Sequence, residues 1–163
     1  RLDPLFPGGR QEDGRRGGTV DVASAVGLGK AAKSALASLE VEMPRLRRLR
    51  DRLFAAVAER IDGTALVGPA LDSGRLPGQL AVSFERIDAE SLLMSMPDFA
   101  ATPGACSPGP CALSRVLQSL GLDSAAIRGT LEMTLGRFTT DEAVETAAAM
   151  LEGTVKRLRM LSD

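Results

Sequence analysis

The chain has 163 residues and a formal net charge of −1. This length suits one domain with a substantial buried core, and the near-neutral charge argues against general binding to nucleic acid or anionic membranes. Two cysteines and the absence of histidine exclude a disulfide scaffold, histidine-base catalysis and most metal chemistry. No long apolar stretch or export signal is evident, so we expect a cytoplasmic protein.

A glycine- and arginine-rich segment, GGRQEDGRRGGT, occupies residues 8–19. Glycines let the backbone approach a ligand closely, arginines supply planar donors for phosphate or carboxylate, and a helix start adds free N–H groups. The segment therefore predicts an anion site immediately before a helix. The alternative is a solvated basic turn, because the spacing matches neither the Walker pattern nor the dinucleotide-binding fingerprint.

Helical patterns follow the turn. Alanine-rich sequence from Val20 to about Val41 predicts a closely packing helix, and Pro44 then predicts either a kink or the first turn of a new helix. Beyond Pro44, apolar residues recur every three or four positions, which is typical of an amphipathic helix. They are Leu46, Leu49, Leu53, Val57 and Ile61.

Six arginines lie mostly on the other faces of this amphipathic helix. They are Arg45, Arg47, Arg48, Arg50, Arg52 and Arg60. A charged helical face is usually solvated, and we favour that interpretation. The alternative is a stripe that binds a partner.

The rest of the chain alternates short strands and helices. Glycines and prolines predict loops around a strand near Thr64 to Val67, and alternation from Leu80 to Phe84 predicts a half-buried strand. Asp88 predicts the N-cap of a helix.

Further elements follow in the last third. Leu113 to Leu120 predicts a short helix and Thr130 to Gly136 a strand. The last helix, to about Leu161, begins with a capping box in which Glu142 stands three residues after Thr139. Strands mixed with helices predict an α+β fold rather than a doubly wound sheet.

Several motifs occur in the order found in one known family. They are the glycine-rich turn, Arg75-Leu76-Pro77 before Leu80–Phe84, Gly104-Ala105-Cys106, Leu113–Leu117 and Leu135–Glu142. Together they resemble the C-terminal half of the cysteine desulfurases, which are pyridoxal phosphate-dependent members of the class V aminotransferase family. The resemblance implies the small α+β domain of a fold-type I enzyme, with a short antiparallel sheet covered by helices and preceded by a long kinked helix.

The resemblance also implies a division of the chain into three parts. A cofactor-phosphate turn covers residues 1–19, long connecting helices cover 20–62, and the small α+β domain covers 63–163 with a cysteine loop at 100–112.

The cysteine loop is the chemical centre of this interpretation. Its prolines and glycines argue against regular structure and favour an accessible thiol. By the resemblance, Cys106 stands where the family has its persulfide-forming cysteine, which passes sulfur to an acceptor protein in processes such as iron–sulfur cluster assembly. A small buried hydrophobe is the alternative role for Cys106. Cys111 is either incidental, which we favour, or a resolving thiol.

The glycine-rich turn carries the implied cofactor contacts. Thr19 matches a threonine that reaches the cofactor phosphate of the other subunit, and Gly18 and Arg16 belong to the same turn. Gln11 and Glu12 match a Gln-Glu pair with a structural role. These matches imply a homodimer with shared sites.

No lysine here matches the cofactor lysine of the family. Pyridoxal phosphate enzymes hold the cofactor on a lysine, whereas Lys30, Lys33 and Lys156 lie in helical patterns typical of solvated surface. We therefore expect a fragment, a processed product or one subunit of a split pair, which works with the N-terminal half of the enzyme. The start at Arg1 rather than methionine favours the first two.

The chain departs from the family pattern near the implied substrate site. Glu132 stands where the family has an arginine that clamps the substrate carboxylate, which reverses the charge. Either Arg128 replaces the clamp, or the substrate lacks the carboxylate, or the ordinary reaction is lost. Pro103 and Gly104 also replace a Gly-Ser pair. Two function classes stay open: a cysteine desulfurase or related sulfur or selenium lyase, and a degenerate relative that binds a partner.

Overall fold

A computed structural model of the protein describes residues 3–104 and 113–162. The chain divides into two compact units, Arg1–Glu40 and Val41–Asp163. The glycine-rich turn belongs to the first unit, and the sheet belongs to the second.

The longest element is helix α1 (Val22–Arg60), which follows a short 3-10 helix at Gln11–Gly14. Helical structure continues through Pro44, so a new helix at that proline, one of the two predicted alternatives, is wrong. Proline has no N–H to donate within the helix, and the element tolerates one missing hydrogen bond there.

The described residues of the second unit form a four-stranded sheet and four more helices. In chain order the elements are β1 (Thr64–Leu66), β2 (Gln79–Phe84), α2 (Ala89–Met94), β3 (Thr102–Pro103), α3 (Arg115–Ser119), α4 (Ser124–Arg128), β4 (Thr130–Thr134) and α5 (Asp141–Ser162). The strand order is β1-β2-β4-β3, and every neighbouring pair is antiparallel. The predicted α+β class, with a short antiparallel sheet covered by helices, is confirmed.

The main core covers one face of the sheet. Because side chains alternate along a strand, Leu80 and Val82 of β2 and Leu131 and Met133 of β4 point to this face. Helices α1 and α5 supply the apolar side chains that pack there. They are Leu49, Leu53, Val57, Val144, Ala148, Leu151 and Val155. Each fully buried aliphatic side chain contributes roughly 1.5–3 kcal/mol of transfer free energy.

A smaller core lies on the opposite face. Val67, Leu117 and Ile127 are buried there with Ala81 packed against them. The hydroxyls of Ser83 and Thr130 both donate to the carbonyl of Ala126 in α4, at 3.0 and 2.7 Å. Helices α3 and α4 therefore cover only the part of this face beside those two residues.

The arginines of α1 hold the helix against its neighbours. Arg50 is 0 % exposed and donates to the carbonyls of Leu71 and Leu76 and to the carboxylate of Asp51. Arg45 is half-buried and donates to three carbonyl oxygens in the turn after β4, at 2.8–3.1 Å. The interpretation of the whole arginine run as solvated surface is therefore wrong for these two residues.

A surface ion-pair network joins α1 to the start of α5. Arg48 binds both oxygens of Asp141, at 2.7 and 2.9 Å, and Arg52 binds one of them at 2.6 Å. The hydrogen bond from Arg48, followed by the one from Arg52, lowers the pKa of Asp141 from its ordinary 3.8 to about 2. Arg60 pairs with Glu145 one turn further along α5.

Three local features differ from the sequence prediction. The N-cap of α5 is Thr140, whose hydroxyl accepts from the N–H of Ala143 at 3.1 Å, rather than Thr139. The predicted capping box is wrong because the hydroxyl of Thr139 closes the preceding turn, accepting from Gly136 N–H at 2.9 Å. Helix α4 and strand β3 were not predicted. Asp123, which accepts from Ala126 N–H at 2.8 Å, is the cap that signals α4.

We expect Asp141→Asn to destabilise the second unit at neutral pH and to weaken its acid sensitivity. A carboxyl group with a lowered pKa stabilises the fold above its unfolded pKa, and this stabilisation is lost as the pH falls from roughly 4 to 2. Thermal unfolding across this range measures the effect. The control is Asp98→Asn, at an exposed residue outside the network. Equal acid profiles for Asp141→Asn and the unmodified chain would contradict the role of the network.

Candidate functional site

The glycine-rich turn is a closed loop with a strained backbone. The N–H of Gly17 donates to the carbonyl of Phe6 at 2.7 Å and closes it. Glu12 and Asp13 have φ of 50° and 54°, in the left-handed region that non-glycine residues rarely adopt, and Gly18 has φ of 99°. Local strain of this kind costs energy and persists only when surrounding contacts impose it.

This turn lines an open cavity of about 350 Å³ in the first unit. The lining residues are Gln11, Glu12, Arg16, Gly18, Val20 and Asp21. Two of the three predicted cofactor residues, Arg16 and Gly18, therefore meet at one cavity. Thr19, the third, is exposed and outside the lining, because it alternates with Gly18 and Val20 along the chain.

The donors at this cavity suit a phosphate group. The guanidinium of Arg16 lies 5.5 Å from the centre of the Phe6 ring. Among the described residues it makes a single long hydrogen bond, 3.4 Å to the carbonyl of Gly17, so other N–H donors remain for an anion. Asp21 caps α1, accepting from the hydroxyl and N–H of Ser24, and these bonds lower the pKa of its carboxyl. Arg16 is the positively charged residue of the cavity lining, which also contains the carboxyl groups of Glu12 and Asp21.

The lysines stand apart from this cavity lining. Lys30 and Lys33 are exposed on α1, and Lys156 forms an ion pair with Glu152 at 2.6 Å on α5. Their prediction as helix surface is confirmed by these positions.

A second group of predicted residues lies on the sheet. The Cα partners of Glu132 are Ala81 on β2 and Thr102 on β3, on the face away from the main core. The carboxylate of Glu132 accepts a hydrogen bond from the side-chain amide of Gln79. Gln79 is diagonal to Glu132 across the β2–β4 pair, a separation that long side chains span.

The chain leaves the sheet toward the cysteines immediately after β3. The N–H of Gly104 donates to the carbonyl of Thr130 at 2.7 Å, and Gly104 packs against Leu117 of α3. Cys106 and Cys111 lie outside the described residues. The expectation that the loop has no regular structure is wrong for Thr102 and Pro103, which form an edge strand where proline is tolerated.

Comparison with known proteins finds curated relatives whose sequences are similar to nearly all of this chain. The cysteine desulfurase IscS of Haemophilus influenzae strain PittEE is 37% identical over 163 residues, which cover 99% of this chain and 40% of that protein. The chain is homologous to the C-terminal part of the cysteine desulfurases. It therefore spans about 40% of the length of this curated relative. No family model matches the sequence.

Solved structures agree with the fold. A NifS-like protein has a TM-score of 0.79 at 27% identity, covering 95% of this chain and 39% of its own. A NifS-like protein from Rickettsia africae has a TM-score of 0.81 at 19% identity, covering 96% and 41%, and shows the fold alone. The small α+β domain expected from the resemblance to cysteine desulfurases is thus confirmed.

The sequence pattern predicts that Glu132 departs from the cysteine desulfurase motif by a reversed charge, with Arg128 as a possible substitute. Arg128, the predicted substitute, is exposed at the last position of α4 and outside the strand that carries Glu132. The side chain of Glu132 is hydrogen-bonded to Gln79, and among the described residues no hydrogen bond or ion pair joins Glu132 to Arg128. Gln79 was missed from sequence because strand pairing, which alone brings the two side chains together, cannot be seen in the motif.

Two absences apply to the described ranges, 3–104 and 113–162. None of their helices combines the length and apolar character needed to cross a membrane. Nor do those ranges contain a group of three or more histidine, cysteine or acidic residues arranged to hold a metal ion.

We expect Gly104→Ala to destabilise the sheet edge that leads to Cys106. A Cβ atom there would lie 2.7 Å from Leu117 Cδ1 and 2.8 Å from Thr130 Cβ, and such overpacking costs about 1–3 kcal/mol. Urea unfolding measures the change. Gly136→Ala is the matched control, because its added Cβ meets no atom within 4 Å. Equal unfolding midpoints for the two variants would contradict the close packing of Gly104.

Proposed function

We propose that this chain is the C-terminal part of a pyridoxal phosphate-dependent cysteine desulfurase, in which Cys106 takes sulfur from the substrate as a persulfide. The observation that carries the proposal is the similarity to cysteine desulfurase IscS over 99% of the chain. The adjacency of β3 to Glu132 supports it, because the segment with the proposed nucleophile begins beside the proposed substrate position.

The proposed sulfur transfer is balanced without an added oxidant. The thiolate of Cys106 attacks the substrate sulfur, a sulfur–sulfur bond forms, and the carbon–sulfur bond of cysteine breaks. The enzyme sulfur and substrate sulfur together become the persulfide. The substrate carbon keeps the electron pair of the broken bond, gains a proton and leaves as the desulfurised product, which is alanine when the substrate is cysteine. An acceptor protein then takes the outer sulfur, for example for iron–sulfur cluster assembly.

The turn of the first unit is the proposed phosphate site of the cofactor. Arg16 would supply a charged donor and Gly18 a backbone approach free of a side chain. When bound, pyridoxal phosphate supplies an electron sink that allows the carbon–sulfur bond to break. The cofactor lysine would come from the N-terminal half of the enzyme, since Lys30, Lys33 and Lys156 occupy helix surfaces.

Thr19 has a different proposed role from its two neighbours. It is exposed and does not line the cavity of its own chain. This arrangement suits a hydroxyl that serves the cofactor phosphate of a second subunit, and we propose a homodimer with shared sites. A thiol that must stay free also suits a reducing compartment, so the cytoplasm is the proposed location.

A second function class is favoured by one observation. Glu132 repels a substrate carboxylate at the place where the family binds one. A degenerate relative that binds a partner without catalysis would tolerate such a change.

We expect Cys106→Ala to abolish persulfide formation in the holoenzyme while cofactor binding is retained, because the variant removes only the nucleophile. The rate should fall by at least about 10²-fold. Thiol-alkylation mass spectrometry measures the persulfide and the cofactor absorbance serves as the binding readout. Cys111→Ala is the matched control and should keep the wild-type rate. A normal rate in Cys106→Ala would favour the degenerate class or another nucleophile.

We expect Arg16→Ala to weaken pyridoxal phosphate binding to the holoenzyme by about tenfold or more, because a charged hydrogen bond to phosphate is lost. Equilibrium dialysis of the cofactor measures the affinity. Arg15→Ala is the control, since Arg15 is exposed and outside the cavity lining. Equal affinities for the two variants would argue against the turn as the phosphate site.

A further inference from the structure

The part of the second sheet face that α3 and α4 leave uncovered is polar among the described residues of the second unit. Helices α3 and α4 cover this face beside Ser83 and Thr130, as described above. Toward the other end of β2 and β4 the same face carries Gln79, Glu132, Thr102 and Thr134. Thr102 and Thr134 are exposed, while Gln79 and Glu132 are half-buried. Among the described residues, this polar sheet face therefore presents accessible hydrogen-bonding groups.

Glu132 is the only charged side chain among these four residues. Its carboxylate accepts a hydrogen bond from the side-chain amide of Gln79. In the part of the chain that the structure describes, no lysine or arginine forms an ion pair with it. One donor leaves several acceptor positions of the carboxylate free, so the polar sheet face favours a ligand that donates hydrogen bonds.

The register places this carboxylate beside the start of the cysteine-bearing segment. Thr102 is the Cα partner of Glu132, and Pro103 is the partner of Leu131. The packing of Gly104 against Thr130 and Leu117 fixes that departure point. A ligand on the polar sheet face would thus contact the strand that continues toward Cys106.

We infer that Glu132 determines substrate specificity, and that the substrate is a cysteine derivative with an amidated carboxyl group rather than free cysteine. An amide N–H₂ donates to Glu132, whereas a free carboxylate would place two negative charges together and leave Glu132 without a donor from the ligand. The inference rests on the proposed function, because it concerns the substrate of the same sulfur transfer. The step balances as before: the carbon–sulfur bond breaks, the persulfide forms on Cys106, and alaninamide leaves.

Steady-state kinetics of the holoenzyme with L-cysteinamide and L-cysteine test this inference. The wild type should prefer L-cysteinamide in kcat/KM by more than about tenfold. Glu132→Gln, which keeps the shape and removes the charge, should narrow this preference, and Glu132→Arg should reverse it. Glu90→Gln, which removes an exposed carboxylate on α2, is the control and should leave the ratio unchanged.

The outcomes separate the inference from the proposed function. Equal kcat/KM values for the two substrates overturn the inference, and so does a kcat/KM ratio that is the same in every Glu132 variant. The proposed function still holds in these cases if persulfide forms on Cys106. A loss of stability in Glu132→Gln without a change in the ratio also overturns it, because it indicates a structural partner for the carboxylate. If neither substrate yields persulfide, the proposed function fails. NMR titration of the same protein with L-alaninamide and with L-alanine then tests whether the polar sheet face selects the amide. Larger chemical-shift changes of the backbone N–H groups of Thr102 and Ala81 with L-alaninamide than with L-alanine support the inferred preference for the amide. Equal changes overturn it.

Discussion

The packing of α1 and α5 on one face of the sheet is the constraint on which the second unit depends. Alternating residues of β2 and β4 must enter that core, so Leu131 and Met133 point inward and Glu132 between them points outward. A shift of one residue in strand pairing would bury the carboxylate and expose the aliphatic side chains. The burial of the main core therefore fixes the location of Glu132 and of its partner Gln79.

The arginines of α1 show how charge serves this packing. Arg50 is fully buried, yet its donors are used by two carbonyls and a carboxylate, which offsets the cost of removing a guanidinium from water. Arg45 binds the carbonyls of the turn after β4, and Arg48 and Arg52 bind Asp141 at the start of α5. Most arginines of this stretch therefore stabilise the second unit by bonding α1 to its neighbouring elements. Arg47 is exposed.

Much of the fold could be predicted from the sequence because its signals are local. The strand at Leu80–Phe84 shows period-two alternation, the helix after Asp88 has its cap, and the amphipathic part of α1 has regular spacing. Two features could not be predicted from the sequence because they depend on partners elsewhere in the fold. Strand β3 has two residues and exists only through pairing with β4, and the N-cap of α5 shifts to Thr140 because Thr139 is used by the turn.

The residues of the candidate site also differ in whether the sequence alone could identify them. Arg16 and Gly18 could be identified from composition and resemblance, and the structure brings both to one cavity. Gln79 could not, because its role arises from the β2–β4 register. The motif comparison did single out Glu132 as a departure, but only the register shows that it stands beside the strand leading to the cysteines.

The central claim is that the sulfur released from the substrate is carried on Cys106. Turnover of the holoenzyme with a substrate labelled with heavy-isotope sulfur, followed by alkylation and fragment-ion mass spectrometry, tests it most directly. The account predicts one labelled sulfur atom on Cys106 and none on Cys111. Label on Cys111 alone, or unlabelled cysteines after product has formed, would contradict it.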